Sequence, residues 1–381
     1  MNKKAAAPVL WVTSMFLCLA ICFDLAGLVA PDKSFSETEN RMLAQFPKIT
    51  AAGLADGSFG EDTESYLSDQ FAYRDVWASL SFFVKHSLFG QREMDGVYIG
   101  DDGYLIMKPS AYDQDALNTK LNAVNAVAGK YEAVRQYMAV IPNAVTVLRD
   151  KMPPYAPVSE QPGQLDQIAS SLKGVTFCDV TDAFEQHRNE ELFYHTDHHW
   201  TTYGAYLAFC EIAPLLEIDP ESFRYRVHRI SERFEGTLAS KSGSHQYKDV
   251  MEIYVPKTET PLSVVYSDKD DMRGTLYERE YLDTKDQYAV FLGGNHPTVD
   301  IRTTAQTGRT LLLVKDSYAN CFVPFLTPYF DRIVVVDPRY CYDTVDMMIK
   351  ENDVTDLLYL YNADTFMSDT SLTDFLEIQD E

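Results

Sequence analysis

Basic residues are scarce in this sequence of 381 residues. The chain has 33 lysine and arginine residues against 57 aspartate and glutamate residues, which gives a formal net charge of −24. Proteins that bind nucleic acid need clustered basic side chains, because these release counterions from the phosphates. We therefore expect no nucleic-acid partner, and long anionic polymers are repelled on average unless a local basic cleft receives them.

Cysteine is sparse as well, and its spacing excludes the common zinc-ribbon and redox motifs. The six cysteines are scattered along the chain, and no two of them form a Cys-x-x-Cys pair. An exported location would permit disulfides, but the spacing reveals no pairing. Buried free thiols are the simpler interpretation.

One long uncharged run is present, at the N-terminus. It covers residues 5–23 and follows Lys3 and Lys4. As a helix it would span about 28 Å, close to the thickness of a bilayer core. Positive charge before such a run stays in the cytoplasm, so the rest of the chain would be exported. A cleaved signal peptide is the competing interpretation, but no good small-residue cleavage site follows the run. We therefore predict an uncleaved, single-pass anchor within residues 1–30, with the remaining chain extracytoplasmic in the cell membrane.

The hydrophobic pattern after the anchor predicts an α/β protein. Helical spacing covers 59–89 and 110–137, and a glycine-bounded turn between 97–99 and 104–106 predicts a β-hairpin. Short apolar strands and helices then alternate, which indicates a buried, mainly parallel sheet. Strands are predicted at 138–141 (extended or paired by 144–148), 175–180, 288–292, 311–314, 332–336 and 356–361, and helices at 164–172, 201–216 and from Ser317 onward.

This pattern divides the chain into three predicted parts. The anchor is residues 1–30. Residues 31–108 form membrane-proximal helices and the hairpin, packed on the main domain. Residues 109–381 form the α/β domain, with an irregular insertion near 219–286.

The segment Tyr194–Trp200 concentrates titratable groups in a loop before a helix. It contains His195, Asp197, His198 and His199, and clustered groups of this kind in a loop are typical of functional sites. Imidazoles and a carboxylate suit a zinc or iron site. An Asp–His pair would instead fix the tautomer of a general base. A loop whose histidines cap the helix or face water is the third interpretation.

A second segment places a hydroxyl residue where a buried strand runs into a helix. Leu311–Val314 is wholly apolar, and Lys315, Asp316 and Ser317 follow it. A serine in that turn is exposed at the carboxyl edge of the sheet, where α/β proteins have their sites. Because serine is also a good N-cap, the junction alone is a weak motif.

A third segment offers donors for an oxyanion. Gly293, Gly294 and Asn295 follow a predicted strand, so a backbone N–H or the asparagine amide could face a substrate. An ordinary turn is the alternative. Together the three segments supply a nucleophile, a base, an orienting acid and oxyanion donors, which is more specific than any one of them.

Two of these segments resemble a known family. Thr196–Trp200 reads Thr-Asp-His-His-Trp and is followed by Thr-Thr-Tyr-Gly-Ala, and Lys315–Asn320 reads Lys-Asp-Ser-Tyr-Ala-Asn. With Glu39–Arg41, Asp69–Phe71 and the hairpin, they resemble the DHHW protein family. That family is similar to the alginate O-acetylation proteins of the SGNH-hydrolase-like superfamily. The likeness covers most of the exported chain.

The resemblance implies a fold and residue roles. The fold would be an SGNH-like three-layer α/β sandwich with a mainly parallel sheet. Asp197 would be the acid, His199 the base and Ser317 the nucleophile. The expected oxyanion or substrate-binding residues are Gly294, Asn295, Asn320 and His198. The Asp–His pair precedes the serine here, as in the alginate group, whereas ordinary SGNH hydrolases have the reverse order. Lys315 stands near a position where many relatives have glycine, and the resemblance assigns it no role.

The implied activity is acyl transfer, with acetyl as the acyl group, to hydroxyls of a cell-surface or secreted polysaccharide. It would proceed through an acyl-serine without a cofactor or metal. The implied partner is a multispanning membrane-bound O-acyltransferase that passes the acyl donor across the membrane. A carbohydrate acetylesterase with the same triad, a non-catalytic polysaccharide-binding scaffold and a metalloenzyme remain as alternatives.

Overall fold

The computed structural model describes most of the chain. The described residues are 11, 13–15, 17–18, 31–36, 41–258, 260–269 and 271–378, with Asp75 described by its backbone alone. Among these residues, no helix has both the length and the apolar character needed to cross a membrane. The anchor predicted over residues 1–30 lies outside the described residues, apart from a few between Trp11 and Cys18.

The chain divides into two compact units. The first comprises the described residues up to Gln91 together with Ser240–His245, and the second comprises Arg92–Ala239 and the residues from Gln246 onward. The elements of the first unit are β1 (Phe35–Ser36), β2 (Arg41–Met42), α1 (Ala51–Asp56), α2 (Ser58–Asp69), α3 (Arg74–Phe83) and a π-helical turn at Val84–Leu88.

The helical stretch predicted over 59–89 is interrupted between α2 and α3. Helix α2 ends at Asp69, and Tyr73, the N-cap of α3, has a left-handed φ of 57° that a continuous helix does not allow. Asp69, the last residue of α2, binds Nη2 of Arg41 at 2.5 Å and the N–H of Ala44 at 2.8 Å. The Arg41 hydrogen bond holds the pKa of Asp69 at about 2 against the effect of burial. The polar segment around Arg41 is therefore fixed to the end of α2.

The second unit is built on one large sheet. The strands of this unit, not all of which belong to the large sheet, are β3 (Glu93–Met94), β4 (Val97–Ile99), β5 (Leu105–Met107), β6 (Arg135–Ile141), β7 (Thr176–Phe177), β8 (Tyr225–Phe234), β9 (Asp249–Pro256), β10 (Leu262–Tyr266), β11 (Met272–Arg273), β12 (Thr298–Thr303), β13 (Thr310–Lys315), β14 (Arg332–Val336) and β15 (Asp356–Asn362). The eight-stranded sheet has the order β11-β10-β12-β14-β13-β15-β6-β7. The strands from β14 to β7 in that order are parallel, and β12, β10 and β11 extend the sheet antiparallel.

Helices cover both faces of this sheet. The helices of this unit are α4 (Gln114–Lys130), α5 (Ala144–Val147), α6 (Gln161–Ser171), α7 (Thr181–Gln186), α8 (Thr202–Leu215), α10 (Val323–Leu326), α11 (Val345–Glu351), α12 (Ala363–Ser368) and α13 (Ser371–Phe375). Helix α9 (Thr237–Ser242) belongs in part to each unit. Successive strand side chains point to opposite faces. In β13, Leu311 and Leu313 therefore join the core that contains Phe209 of α8, whereas Leu312 and Val314 join the core that contains Leu121 of α4. The predicted mixed α/β fold with a mainly parallel sheet is confirmed.

Two predicted strands are wrong. Residues 144–148 form the short helix α5, and residues 288–292 overlap a 3-10 turn at Gln287–Val290. Both runs are apolar and buried. A short buried run has the same composition in a strand and in a helical turn, so periodicity alone does not distinguish them.

The region predicted as an irregular insertion is more regular than expected. Within 219–286, β8 and β9 form an antiparallel hairpin, and β10 with β11 adds to the edge of the main sheet. Strand β8 is mostly exposed or half-exposed, so its side chains lack the apolar alternation by which a strand is recognised. The strand predicted at 175–180 is only the two residues of β7, and α4 ends at Lys130 before β6 begins.

Candidate active site

Ser317 lies just beyond the carboxyl end of β13, in the turn where the chain leaves the sheet. The carboxylate of Asp316 accepts a hydrogen bond from the N–H of Tyr318 at 2.9 Å. It also accepts hydrogen bonds from the N–H and the side-chain amide of Asn362, the last residue of β15, at 2.9 and 2.6 Å. Burial raises the pKa of Asp316 to about 6. Ser317 opens a 3-10 turn, Ser317–Cys321, rather than the predicted helix. Because this element is so short, it has little macrodipole. An anion bound at this turn would therefore depend on hydrogen bonds from individual N–H groups.

The histidine-rich loop is fastened directly to this turn. The indole N–H of Trp200 donates to the carbonyl of Tyr318 at 2.9 Å, and the Tyr318 hydroxyl donates to the carbonyl of His198 at 2.6 Å. Both aromatic side chains are fully buried. Trp200 and Tyr318 therefore hold the histidine-rich loop against the turn that contains Ser317.

The side chains of Asp197, His199 and Ser317 form a continuous hydrogen-bonded series. Nε2 of His199 lies 2.8 Å from Oγ of Ser317, and Nδ1 of the same ring lies 2.6 Å from Oδ1 of Asp197. These distances are those expected for a nucleophile, its base and the group that orients the base. Ser317 is half-buried, whereas its neighbours Asp316 and Tyr318 are fully buried.

Asp197 is buried, and donors surround its carboxylate. Oδ2 accepts the N–H and the hydroxyl of Thr237 at 2.7 and 3.1 Å, and Oδ1 also accepts the N–H of His199 at 3.0 Å. Burial opposes ionisation, but the neighbouring His198 and His199 and these hydrogen bonds hold the pKa of Asp197 well below its usual range. The carboxylate is therefore ionised at neutral pH and can stabilise a protonated His199.

Gly236 makes room for this carboxylate. A Cβ at position 236 would stand 2.2 Å from Oδ2 of Asp197 and 2.3 Å from its Cβ. No side chain fits in that space, so glycine is required by close approach and not by its backbone conformation.

Tyr288 fixes the plane of the imidazole. Its ring stacks on His199 with a centroid separation of 3.8 Å and an interplanar angle of 10°. Its hydroxyl oxygen lies within hydrogen-bonding distance of the carbonyl oxygen of Ser317, at 3.2 Å, and of Sγ of Cys321, at 3.3 Å. The 3-10 turn that replaced a predicted strand therefore orients both the base and the serine backbone.

The two remaining histidines of the loop have different surroundings. His195 is stacked between Tyr104 and Tyr247, at 3.9 and 4.0 Å, and its Nδ1 lies 3.2 Å from Asp249. It is therefore directed away from the carboxylate of Asp197 and anchors the loop. His198 is partly exposed, and its Nδ1 contacts the hydroxyl of Thr237 at 2.8 Å.

The hydrogen bonds of the histidine-rich loop test the alternative that it binds a metal ion. Asp197, His198 and His199 offer ligand atoms within 4.8 Å of one another. Both ring nitrogens of His199 and both oxygens of Asp197 already have protein partners. His195, the fourth member of the proposed ligand set, is paired with Asp249 instead. The donor set therefore fits an acid–base relay better than a metal ion.

The predicted oxyanion residues lie against the serine turn, but their donors differ in availability. The N–H of Gly294 donates to the carbonyl of Phe291 at 3.2 Å, so it is already used. The amide of Asn320 donates to the carbonyl of Gly294 at 3.2 Å and to Oδ1 of Asn295 at 3.1 Å. Within the described residues, Nδ2 of Asn295 and the N–H of Ser317 have no acceptor, so each of them can still donate a hydrogen bond to a ligand.

Sequence reasoning missed Gly236, Thr237 and Tyr288. The first two follow strand β8 and approach Asp197 only in the folded chain. Gly236 before Thr237 is a weak turn signal that does not indicate its partner. Tyr288 lies in an apolar run that is indistinguishable from core.

Comparison with known proteins identifies related folds. A family model described as DHHW protein matches residues 84–336. The crystal structure of a DHHW family protein from Eubacterium siraeum superposes with a TM-score of 0.63 at 23% identity, covering 76% of this chain and 98% of that one. The structure of Bacillus cereus PatB1 with a sulfonyl adduct gives a TM-score of 0.61 at 21% identity, covering 74% and 98%.

A more distant solved structure is the O-acetyltransferase domain of Pseudomonas putida AlgJ. It has a TM-score of 0.47 at 15% identity and covers 71% of this chain and 92% of that domain. No curated protein sequence matches the chain. The likeness to the Eubacterium siraeum protein and to PatB1, with TM-scores above 0.6, shows a shared fold.

Proposed function

This chain belongs to the DHHW protein family, and from that premise we propose that it transfers an acyl group through Ser317 to hydroxyls of a polysaccharide. The observation that carries the proposal is the relay from Asp197 through His199 to Ser317, with its two contacts of 2.6 and 2.8 Å. A serine hydroxyl is a poor nucleophile until an oriented base removes its proton. The sequence resemblance to alginate O-acetylation proteins indicates acetyl as the acyl group.

The reaction proceeds in two acyl transfers. His199 takes the proton of Ser317 as Oγ attacks the acyl carbonyl, and Asp197 stabilises the resulting imidazolium. The N–H of Ser317 and Nδ2 of Asn295 stabilise the oxyanion. Collapse expels the donor's leaving group, which takes the proton from His199. A sugar hydroxyl, deprotonated by the same histidine, then attacks the acyl-serine and restores the free enzyme.

The location and the partner are part of the proposal. The uncharged run at residues 5–23 anchors the chain, and the catalytic unit lies outside the cytoplasm. Acetyl-CoA is absent there, so a multispanning membrane-bound O-acyltransferase delivers the acyl group. Anchoring both proteins in one membrane raises their effective concentration.

The test combines a sulfonyl fluoride with a chromogenic acetyl ester. PatB1 has been solved with a sulfonyl adduct, and sulfonyl electrophiles react with activated hydroxyl groups. The full chain in detergent should gain one sulfonyl or one acetyl group on Ser317, detected by intact mass and peptide mapping. Ser317→Ala should abolish both adducts, and His199→Ala should reduce them by at least about 10³-fold.

A matched control uses a His–Asp pair that takes no part in the relay, in which His296 is buried and Asp268 is partly exposed. Nδ1 of His296 lies 2.7 Å from Asp268, but this pair has no contact with Ser317 among the described residues. His296→Ala should keep adduct formation. An acetylated Ser317 discharged faster by oligosaccharides than by water indicates a transferase, and discharge by water alone indicates the esterase. A folded wild type that forms no adduct contradicts the proposal and favours the scaffold.

A further inference from the structure

Lys315 is a buried lysine two residues before Ser317. It is the last residue of β13 and is only 2% exposed. A buried ammonium is costly unless its donors are satisfied by charged or polar partners. Nζ of Lys315 has two such partners, Oδ2 of Asp337 at 3.2 Å and Oδ1 of Asn295 at 2.8 Å.

Asp337 is held independently of Lys315. Arg339 approaches it in a bidentate manner, with Nε 2.8 Å from Oδ1 and Nη2 2.7 Å from Oδ2. This arrangement fixes the carboxylate just beyond the end of β14, the neighbour of β13. Removing Lys315 would therefore leave Asp337 with a charged partner. The salt bridge between Lys315 and Asp337 is not needed to neutralise Asp337.

The contact with Asn295 has a geometric consequence. Oδ1 of Asn295 accepts from Nζ of Lys315 at 2.8 Å and from Nδ2 of Asn320 at 3.1 Å. An amide oxygen has two lone pairs, and both are taken. These two donors lie two residues before and three residues after Ser317 in the chain. Asn295 is thus held from both sides of the serine, and a flipped amide would point its NH₂ group at an ammonium.

We propose that Lys315 is a positioning residue, which holds the amide of Asn295 so that Nδ2 is presented to the oxyanion formed at Ser317. This inference rests on the proposed acyl transfer. The ammonium also withdraws electron density from the amide oxygen, which makes Nδ2 a stronger hydrogen-bond donor. Lys315 does not touch the acyl group and acts through Asn295.

The oxyanion exists only in the transition state and the tetrahedral intermediate, so the effect belongs in kcat and not in KM. Lys315→Met, which keeps an unbranched apolar side chain and removes the ammonium group, should lower kcat for the chromogenic acetyl ester about 10- to 100-fold. KM should change less than about twofold. A loss of substrate affinity with an unchanged kcat would overturn the proposal.

A double-mutant cycle with the full chain separates positioning from structural damage. Asn295→Ala should lower kcat about 10²-fold in the wild-type background. In the Lys315→Met background it should add only the part of this loss that Lys315→Met has not already caused, so that the double variant has the kcat of Asn295→Ala alone. Independent effects that multiply would overturn the proposal.

Lys120 provides the matched control. It is also 2% exposed, and its Nζ donates to the backbone carbonyls of Phe366 and Asp369. Lys120→Met therefore removes another buried ammonium without affecting Asn295. It should lower the melting temperature while kcat per folded molecule stays within twofold of wild type. An equal loss of kcat in Lys120→Met would show that the effect of Lys315→Met is general destabilisation.

Three further outcomes of these experiments are distinguished. If Lys315→Met does not fold, Lys315→Gln, which loses the charge, replaces it in the cycle, and its double variant should again have the kcat of Asn295→Ala alone. If the wild type shows no turnover that depends on Ser317, the proposed function fails and the role of Lys315 fails with it. If the wild type turns over and the cycle is additive, the role of Lys315 alone is wrong.

Discussion

At the scale of single residues, the site depends on one ionised carboxylate in a buried setting. Asp197 combines a depressed pKa with hydrogen bonds from Thr237 and His199. In the proposed mechanism its charge has two roles, which are to fix the tautomer of His199 and to stabilise the imidazolium. The same charge also contributes to stability through proton linkage.

Asp197→Asn should therefore lower kcat by about 10³- to 10⁴-fold while the fold is kept. The folded pKa of Asp197 lies below its unfolded value, so its ionisation stabilises the protein above the ordinary carboxyl range. That stabilisation is lost as pH falls through and below this range. The difference in free energy of unfolding between wild type and Asp197→Asn, measured by urea denaturation, should shrink from pH 7 to pH 3. A constant difference would contradict the assignment.

Gly236 is the second residue-scale test. Gly236→Ala places a methyl group 2.2 Å from Oδ2 of Asp197 and must displace the carboxylate from His199. We expect kcat to fall about as far as in Asp197→Asn, on the order of 10³-fold. Gly274→Ala is the control, because no atom lies within 4 Å of its added Cβ. Equal activity of the two variants would mean that Asp197 does not orient the base.

At the scale of elements, the histidine-rich loop is held by the start of β9. Asp249 accepts the N–H groups of His195 and Thr196, both at 2.8 Å, and the Thr196 hydroxyl at 2.5 Å. Every one of these groups is buried. The loop conformation is thus determined by a strand more than 50 residues later in the chain.

Asp249→Ala should leave these donors unsatisfied and destabilise the protein by about 3 kcal/mol or more. The loop should then loosen, so that kcat falls along with the melting temperature. Glu232→Ala, at an exposed position on β8, should change stability by less than about 0.5 kcal/mol. An Asp249→Ala variant as stable as the Glu232→Ala control would show that the loop is held by other contacts.

At the scale of the catalytic unit, the two edges of the parallel sheet have different tasks. The carboxyl edge carries Ser317. At the amino edge, Asp356 is fully buried and binds Nε and Nη2 of Arg309 at 3.1 and 2.6 Å and Nη2 of Arg135 at 3.0 Å. This cluster links three adjacent strands, because Arg309 immediately precedes β13, Arg135 begins β6, and Asp356 begins β15.

Asp356→Ala should remove the common partner of two guanidinium groups and cost about 3–5 kcal/mol in free energy of unfolding. Because the cluster lies at the opposite edge from Ser317, kcat per folded molecule below the melting transition should stay within about threefold of wild type. Calorimetry and ester turnover measure the two quantities. A loss of kcat without a loss of stability would contradict this division of tasks.

The sequence by itself determined the class of the fold and the members of the relay. Apolar strands such as Leu311–Val314 are readable because a strand buried on both faces has no polar alternation. Asp197, His199 and Ser317 are readable because their chemistry needs those residue types beside a strand end or a helix start.

Only the tertiary structure decided how these parts are supported. Gly236 leaves space for the carboxylate of Asp197, and the ring of Tyr288 stacks on that of His199. Nζ of Lys315 contacts Asn295, which belongs to another segment of the chain. Local propensity reflects the backbone of a residue and its nearest neighbours, whereas close packing and hydrogen-bond satisfaction depend on every segment that meets at one place. For that reason the sequence predicts the reacting groups, and the folded chain supplies their orientation.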